Sequence, residues 1–256
     1  MTSARTRKPF TTGERSSNTR PAHILPVIIF SQFAGTSLWF SGNAVAADLQ
    51  RDWALAEQSL GYITSSVQLG FIVGTLGFAI LTVADRFSPR RVFFCCSLAG
   101  AGANLAIMFA PEQLSWLLAL RFATGLFLAG VYPVGMKIAA GWYEKGLGRA
   151  LGYLVGALVL GTAFPHLLRA LGADLPWGQV MIAVSILAVC GGWMMFRLVP
   201  DGPYLPPAAA FNPRALVIIF RSPTYRASAF GYFGHMWELY ALWAFLPIWL
   251  VAYREN

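Results

Sequence analysis

The sequence predicts an all-α, polytopic membrane protein built as six closely spaced membrane-crossing helices, a basic linker and one further crossing helix. Three observations carry this. Hydrophobic residues make up 57% of the 256 positions and charged residues 12%, about half the charged share of a soluble domain, and the mean hydropathy is +0.57. Apolar runs of about 20 residues, the length that crosses a hydrocarbon core, recur between short polar breaks. None of these runs shows the period-two alternation of a membrane β-barrel, so helices, which satisfy their own backbone groups, are expected throughout.

In order along the chain, residues 1–22 are rich in Arg, Lys, Ser, Thr and Gly and are expected to be disordered. Residues 23–199 hold six spans, over Leu25 to Ala46, Leu60 to Val83, Val92 to Ala110, Leu114 to Lys137, Leu147 to Leu168 and Gly178 to Leu198. The run that begins Pro200-Asp-Gly-Pro-Tyr-Leu-Pro-Pro then breaks the rhythm and opens a linker over residues 200–226. Within it Ala215 to Phe220, an apolar run between arginines, predicts a brief helix lying on the cytoplasmic surface. The last segment, residues 227–256, carries the seventh span from Ala227 to Tyr253. Gly70 and Gly74 on the second helix, and Gly148, Gly152 and Gly156 on the fifth, flatten one face of each for a close neighbour. Pro133 and Pro165 predict kinks in the fourth and fifth helices.

The net charge is +8 and the pI near 9.8, but the cations are sorted by side rather than gathered into a patch for nucleic acid, and no nucleic-acid partner is expected. With the N-terminus in the cytoplasm, fifteen of the nineteen Lys and Arg fall inside: five before Pro21, then Arg86, Arg90, Arg91, Lys137, Lys145, Arg149, Arg197, Arg214, Arg221 and Arg226. Only Arg51, Arg169 and Arg254 fall outside, and Arg121 lies within the fourth span. The positive-inside rule therefore predicts a multi-pass protein of the plasma (inner) membrane with a cytoplasmic N-terminus. Cys95, Cys96 and Cys190 all fall inside spans and read as small apolar residues. No spacing resembles a metal, phosphate-loop or hydrolase motif, so neither an enzyme nor a cofactor is expected.

The loop after the second span reads Ala84-Asp-Arg-Phe-Ser-Pro-Arg-Arg91, and the fourth span contains Arg121-Phe-Ala-Thr-Gly125. Together with Lys145-Gly-Leu-Gly-Arg-Ala-Leu-Gly152 at the entry to the fifth, these resemble the short motifs of the major facilitator superfamily of secondary transporters. The loop keeps the family's Asp, Arg and trailing basic pair. It departs from the family in Ser88 where Gly is usual, in the added Pro89 and in the missing leading Gly. Ser88 is expected to cap the third helix and Pro89 to occupy its first turn. The resemblance implies a conformational loop of Asp85, Arg86, Arg90 and Arg91, with Asp85 facing the start of a helix in a second half of the molecule. It also implies that the first, fourth and seventh spans line a central path for a small-molecule solute.

The residues themselves supply candidates for that path. Gln32, Thr36, Trp39 and Asn43 stack on one face of the first helix, at spacings of four, three and four. The fourth groups Arg121, Gly125, Leu128 and Tyr132, and the seventh groups Gly231, Gly234, Glu238, Leu242 and Trp249 with His235 at the edge. An arginine inside a span is costly and is expected to face protein or a water-filled cavity, which makes Arg121 a candidate counter-charge for an anionic solute. Glu238, near the middle of its span with His235 one turn away, is the candidate for proton coupling.

The expected function is solute transport by alternating access. The family carries two six-helix halves, so this chain is expected to be a fragment, inactive alone and lacking a C-terminal half as partner. The alternative is a non-transporting membrane subunit or assembly partner. A seven-helix receptor or retinal protein is disfavoured by the cytoplasmic N-terminus and, for the retinal case, by the absence of lysine from the seventh span.

Overall fold

The computed structural model describes residues 21–172, 175–205 and 213–254. The first twenty residues, most of the segment expected to be disordered and five of the cytoplasmic cations, lie outside it. Every regular element among the described residues is helical. In order they are α1 (Ile24–Thr36), α2 (Ser41–Ala44), α3 (Ala46–Asp52), α4 (Ser59–Ile80), α5 (Val83–Arg86) and α6 (Pro89–Ala106), which ends in a 3₁₀ turn at Ile107–Phe109. Then come α7 (Leu114–Leu128), α8 (Tyr132–Trp142), α9 (Leu147–Leu171), α10 (Trp177–Leu198), α11 (Pro213–Arg221) and α12 (Pro223–Arg254). Ser59–Ile80, Pro89–Phe109, Leu114–Trp142, Leu147–Leu171 and Trp177–Leu198 are long and apolar enough to cross a membrane.

The first apolar run departs from the expected single helix. It breaks after Thr36 and resumes only as the short α2 and α3. Hydroxyls placed one turn after carbonyls compete with the helical ladder and bend it. Here Thr36 Oγ1 donates to Gln32 O at 2.8 Å and Ser37 Oγ to Ala34 O at 2.7 Å. The fourth span is interrupted between α7 and α8, and Pro133 sits in the first turn of α8, where a missing N–H costs nothing. Pro165 lies inside α9.

Small residues set the closest approaches. Gly70 and Gly74 of α4 lie against the backbone of Phe122 and Leu126 on α7, and Gly125 of α7 lies against the carbonyl of Val67 on α4, so each helix supplies the notch for the other. Gly191 and Gly192 of α10 meet Ala34 and Ser31 of α1 and Ser97 of α6. On α9 the expectation fails: a Cβ at Gly148, Gly152 or Gly156 would meet nothing within 4 Å among the described residues, and it is Gly161 that seats the helix against Phe33 and Thr36 of α1.

The two ends of the bundle are tied differently. At the end poor in cations, Arg169 of α9 reaches the buried Asp48 of α3 at 2.8 Å, and Trp177 Nε1 of α10 donates to Asp52 at 3.1 Å. At the basic end the start of the linker is strapped down. Trp142 Nε1 donates to Pro200 O at 3.0 Å, Tyr204 N to Gly141 O at 2.9 Å, and Gly202 packs directly on the Gly141 carbonyl. The brief helix expected in the linker is present as α11, with only Ser222 between it and α12.

Candidate functional site

The break in the first span builds the centre of the molecule. Unwinding residues 37–40 leaves carbonyls without helical partners in a place where hydrocarbon offers none. Arg121, fully buried on α7, supplies them: Nη1 donates to Leu38 O at 3.2 Å and lies 3.1 Å from Ser41 Oγ, and Nη2 donates to Trp39 O. Gly42 is the glycine this needs, since a Cβ there would stand 2.8 Å from Arg121 Nε. From Ser41 the polar contacts continue through Asn104 Oδ1 at 2.6 Å on α6, and Asn104 Nδ2 donates to Ser185 Oγ on α10 at 3.0 Å. All four side chains are buried. Such a connected chain of partners is what keeps polar groups in an apolar core from being costly.

The same break turns Trp39 and Phe40 toward α12. Trp39 lies 4.6 Å from Phe71 of α4 between ring centroids, and 6.3 Å from Tyr240 of α12 with the planes only 26° apart. Phe40 meets Trp243 of α12 edge-on at 5.8 Å, and Trp243 meets Tyr240 at 5.6 Å. Tyr132 of α8 and Tyr232 of α12 lie near Tyr240. The result is an aromatic cage between the bundle and α12. Trp39, 2% exposed, has a buried indole N–H that no group among the described residues accepts.

The predicted residues therefore separate into groups. Trp39 and Tyr132 belong to the cage, and Arg121 lies behind it, bonded to backbone. Thr36 is turned back on its own helix and packs on Gly161. Gln32 is buried against Gly135 and Phe93, with both amide atoms lacking a partner among the described residues. Asn43 donates to Thr64 Oγ1 of α4 at 2.6 Å. Glu238 and His235 stand on the exposed side of α12, whereas Tyr240 and Trp243 face the bundle. Phe71, Tyr240, Trp243, Ser41, Asn104 and Ser185 were missed by the sequence reading. A lone Asn inside the third apolar run was the signal for the polar chain; no comparable signal marked the aromatics, because aromatic residues are spread through every span.

The loop residues hold a second cluster at the basic end. Thr82, at φ 49°, turns the chain from α4 into α5. Asp85 pairs with Lys137 of α8 at 2.5 Å, within the same bundle rather than across to another. Pro89 takes the first turn of α6 as expected, but Ser88 makes no capping bond and donates instead to Asp201 at 2.9 Å. Arg90 Nη1 donates to Phe196 O at 3.4 Å, with Asp201 3.9 Å away, while Arg86 and Arg91 are exposed. Asp85 and Lys137 line two adjoining clefts of about 210 and 330 Å³.

Comparison with known proteins agrees with this architecture. The family model of the Major Facilitator Superfamily matches residues 27–255. The niacin transporter of Acinetobacter baylyi is 37% identical over 134 residues, covering 48% of this chain and 29% of the transporter. The 4-hydroxybenzoate transporter of Pseudomonas putida is 30% identical over 167 residues, covering 60% of this chain and 37% of its own length. Among solved structures, an inward-facing bacterial homologue of the human lysosomal transporter Spinster superimposes with a TM-score of 0.57 at 16% identity, over 75% of this chain and 44% of that one. The chain thus spans less than half the length of these relatives.

Proposed function

Since the chain belongs to the Major Facilitator Superfamily, we propose that it serves the transport of a small aromatic carboxylate across a membrane by alternating access. The observation that carries this reading is the aromatic cage at the junction of the bundle and α12, where Trp39 and Tyr240 lie nearly parallel. Niacin and 4-hydroxybenzoate, named in two relatives, are flat rings bearing one carboxylate. A ring of that kind, entering as Trp39 and Tyr240 part from their present 6.3 Å, gains offset stacking on both faces. The unpartnered indole N–H of Trp39 and the phenols of Tyr132 and Tyr240 supply donors for the carboxylate. Arg121, committed to backbone carbonyls, contributes positive potential from behind rather than a direct ion pair. On the same reading the basic end faces the cytoplasm and the membrane is the plasma (inner) one.

The test is binding by the purified chain in nanodiscs, followed through tryptophan quenching and calorimetry. Nicotinate and 4-hydroxybenzoate are expected to bind saturably and about 10-fold or more tighter than galactonate, which has no ring, and Trp39→Ala is expected to remove about 1 kcal/mol or more of that affinity. Equal binding of galactonate, or undiminished binding by Trp39→Ala, would defeat the proposal.

Proton coupling is assigned to Glu238 with His235, away from the cage on the outer side of α12. Nicotinate binding by Glu238→Gln in nanodiscs should then lose its pH dependence. A pH profile the same as that of the unaltered protein would remove Glu238 from the mechanism.

A further inference from the structure

The short helix α11 has two unlike sides. Phe220 meets Tyr225 of α12 edge-on, with ring centroids 5.3 Å apart. Away from that contact, Val217 and Ile218 are 57% and 65% exposed. On a helix of 3.6 residues per turn they lie about 40° and 60° from Arg221, and Arg214 lies about 20° from it, so apolar and cationic residues share one face. Arg226 is exposed in the first turn of α12, where the helix dipole is itself positive and gives the charge no compensation. Among the described residues neither Arg221 nor Arg226 has a carboxylate within ion-pair distance.

A face that mixes aliphatic side chains with an arginine, Arg221, that no described carboxylate pairs suits neither bulk water nor a protein core. The headgroup layer of a bilayer suits both kinds: the aliphatic groups enter the acyl boundary, and guanidinium groups bind phosphate oxygens in a two-pronged fashion. A second feature marks the membrane boundary at the same end of the bundle. Trp193 of α10 is 52% exposed, and the Arg197 guanidinium sits 5.7 Å over its ring, the pairing expected of an interfacial anchor. We propose that α11 and the first turn of α12 form a docking surface for anionic lipid, which holds α11 in the membrane plane through Arg221 and Arg226.

The proposal concerns a surface distinct from the aromatic cage and is tested without reference to any solute. Hydrogen exchange of residues 213–226 would be measured in the full chain, in nanodiscs of phosphatidylcholine with and without phosphatidylglycerol. Amides of α11 are expected to exchange about 10-fold more slowly when the anionic lipid is present. Raising the salt should erase the difference, as should the double substitution Arg221→Gln/Arg226→Gln, with exchange in α4 unchanged as the control for folding. Equal exchange in the two lipids would overturn the proposal, as would protection that persists in detergent, which would mean that protein covers this face. Should the double variant fail to fold, the salt series on the unaltered chain decides the matter.

Discussion

Arg121→Met is expected to destabilise the protein by about 2–4 kcal/mol, because two carbonyls in the middle of the bundle lose a charged donor, leaving Leu38 O only the Ser41 hydroxyl, while volume is nearly conserved. The released groups are Leu38 O and Trp39 O, and Ser41 loses a partner as well. Removing a buried charge recovers some desolvation energy, which holds the loss below the sum of three broken bonds. In a chain of this length that corresponds to a fall of roughly 5–15 °C in melting temperature, readable by intrinsic fluorescence in detergent. Arg121→Lys should fall between the two, since a single ammonium cannot span both carbonyls in the way a planar fork does. If Arg121→Met melts with the unaltered protein, the guanidinium is not what holds the break, and its reading as a direct counter-charge for solute regains force.

Gly125→Leu should be more severe, costing about 3 kcal/mol or more. Any Cβ at position 125 would overlap the Val67 carbonyl, and one at Gly70 would overlap the Phe122 carbonyl, so both obstacles are backbone and neither can rotate aside. The helices α4 and α7 would have to separate along their whole length, giving up dispersion contacts that lipid replaces only in part. Gly152→Leu is the matched control. Among the described residues it faces open space on α9, and it should lose less than about 0.5 kcal/mol of stability. Comparable losses at both positions would show that contact with α4 is not what governs Gly125, because Leu is the better helix former at either position.

The contrast between those glycines shows where sequence reading succeeds and where it stops. Length and hydropathy located the helices, because crossing a bilayer imposes a minimum run of apolar residues whatever the packing. Spacing by four found flat faces on the second and fifth helices, but spacing carries no information about which flat face meets a neighbour; Gly70 does and Gly152 does not. The first span shows a different limit. Its hydropathy is continuous through Ala46, yet hydroxyls at Thr36, Ser37 and Ser41 and a guanidinium more than eighty residues later together favour the break. Only Trp39 and Tyr132 of the aromatic cage were found: Phe40 faces α12 only because the first span breaks, and the other members come from α4 and α12 and meet through tertiary structure. Asp85 was recognised from its loop, but its partner Lys137 lies on another helix and could not be read from the loop alone.

The Asp48–Arg169 pair at one end and the strap over Gly141 at the other have a mechanical consequence. The first ties α9 to α3 and the second ties α8 to the start of the linker, so each opposes a slide of one partner past the other. A displacement delivered where Trp39 meets Tyr240 is then expected to carry the tied elements with it.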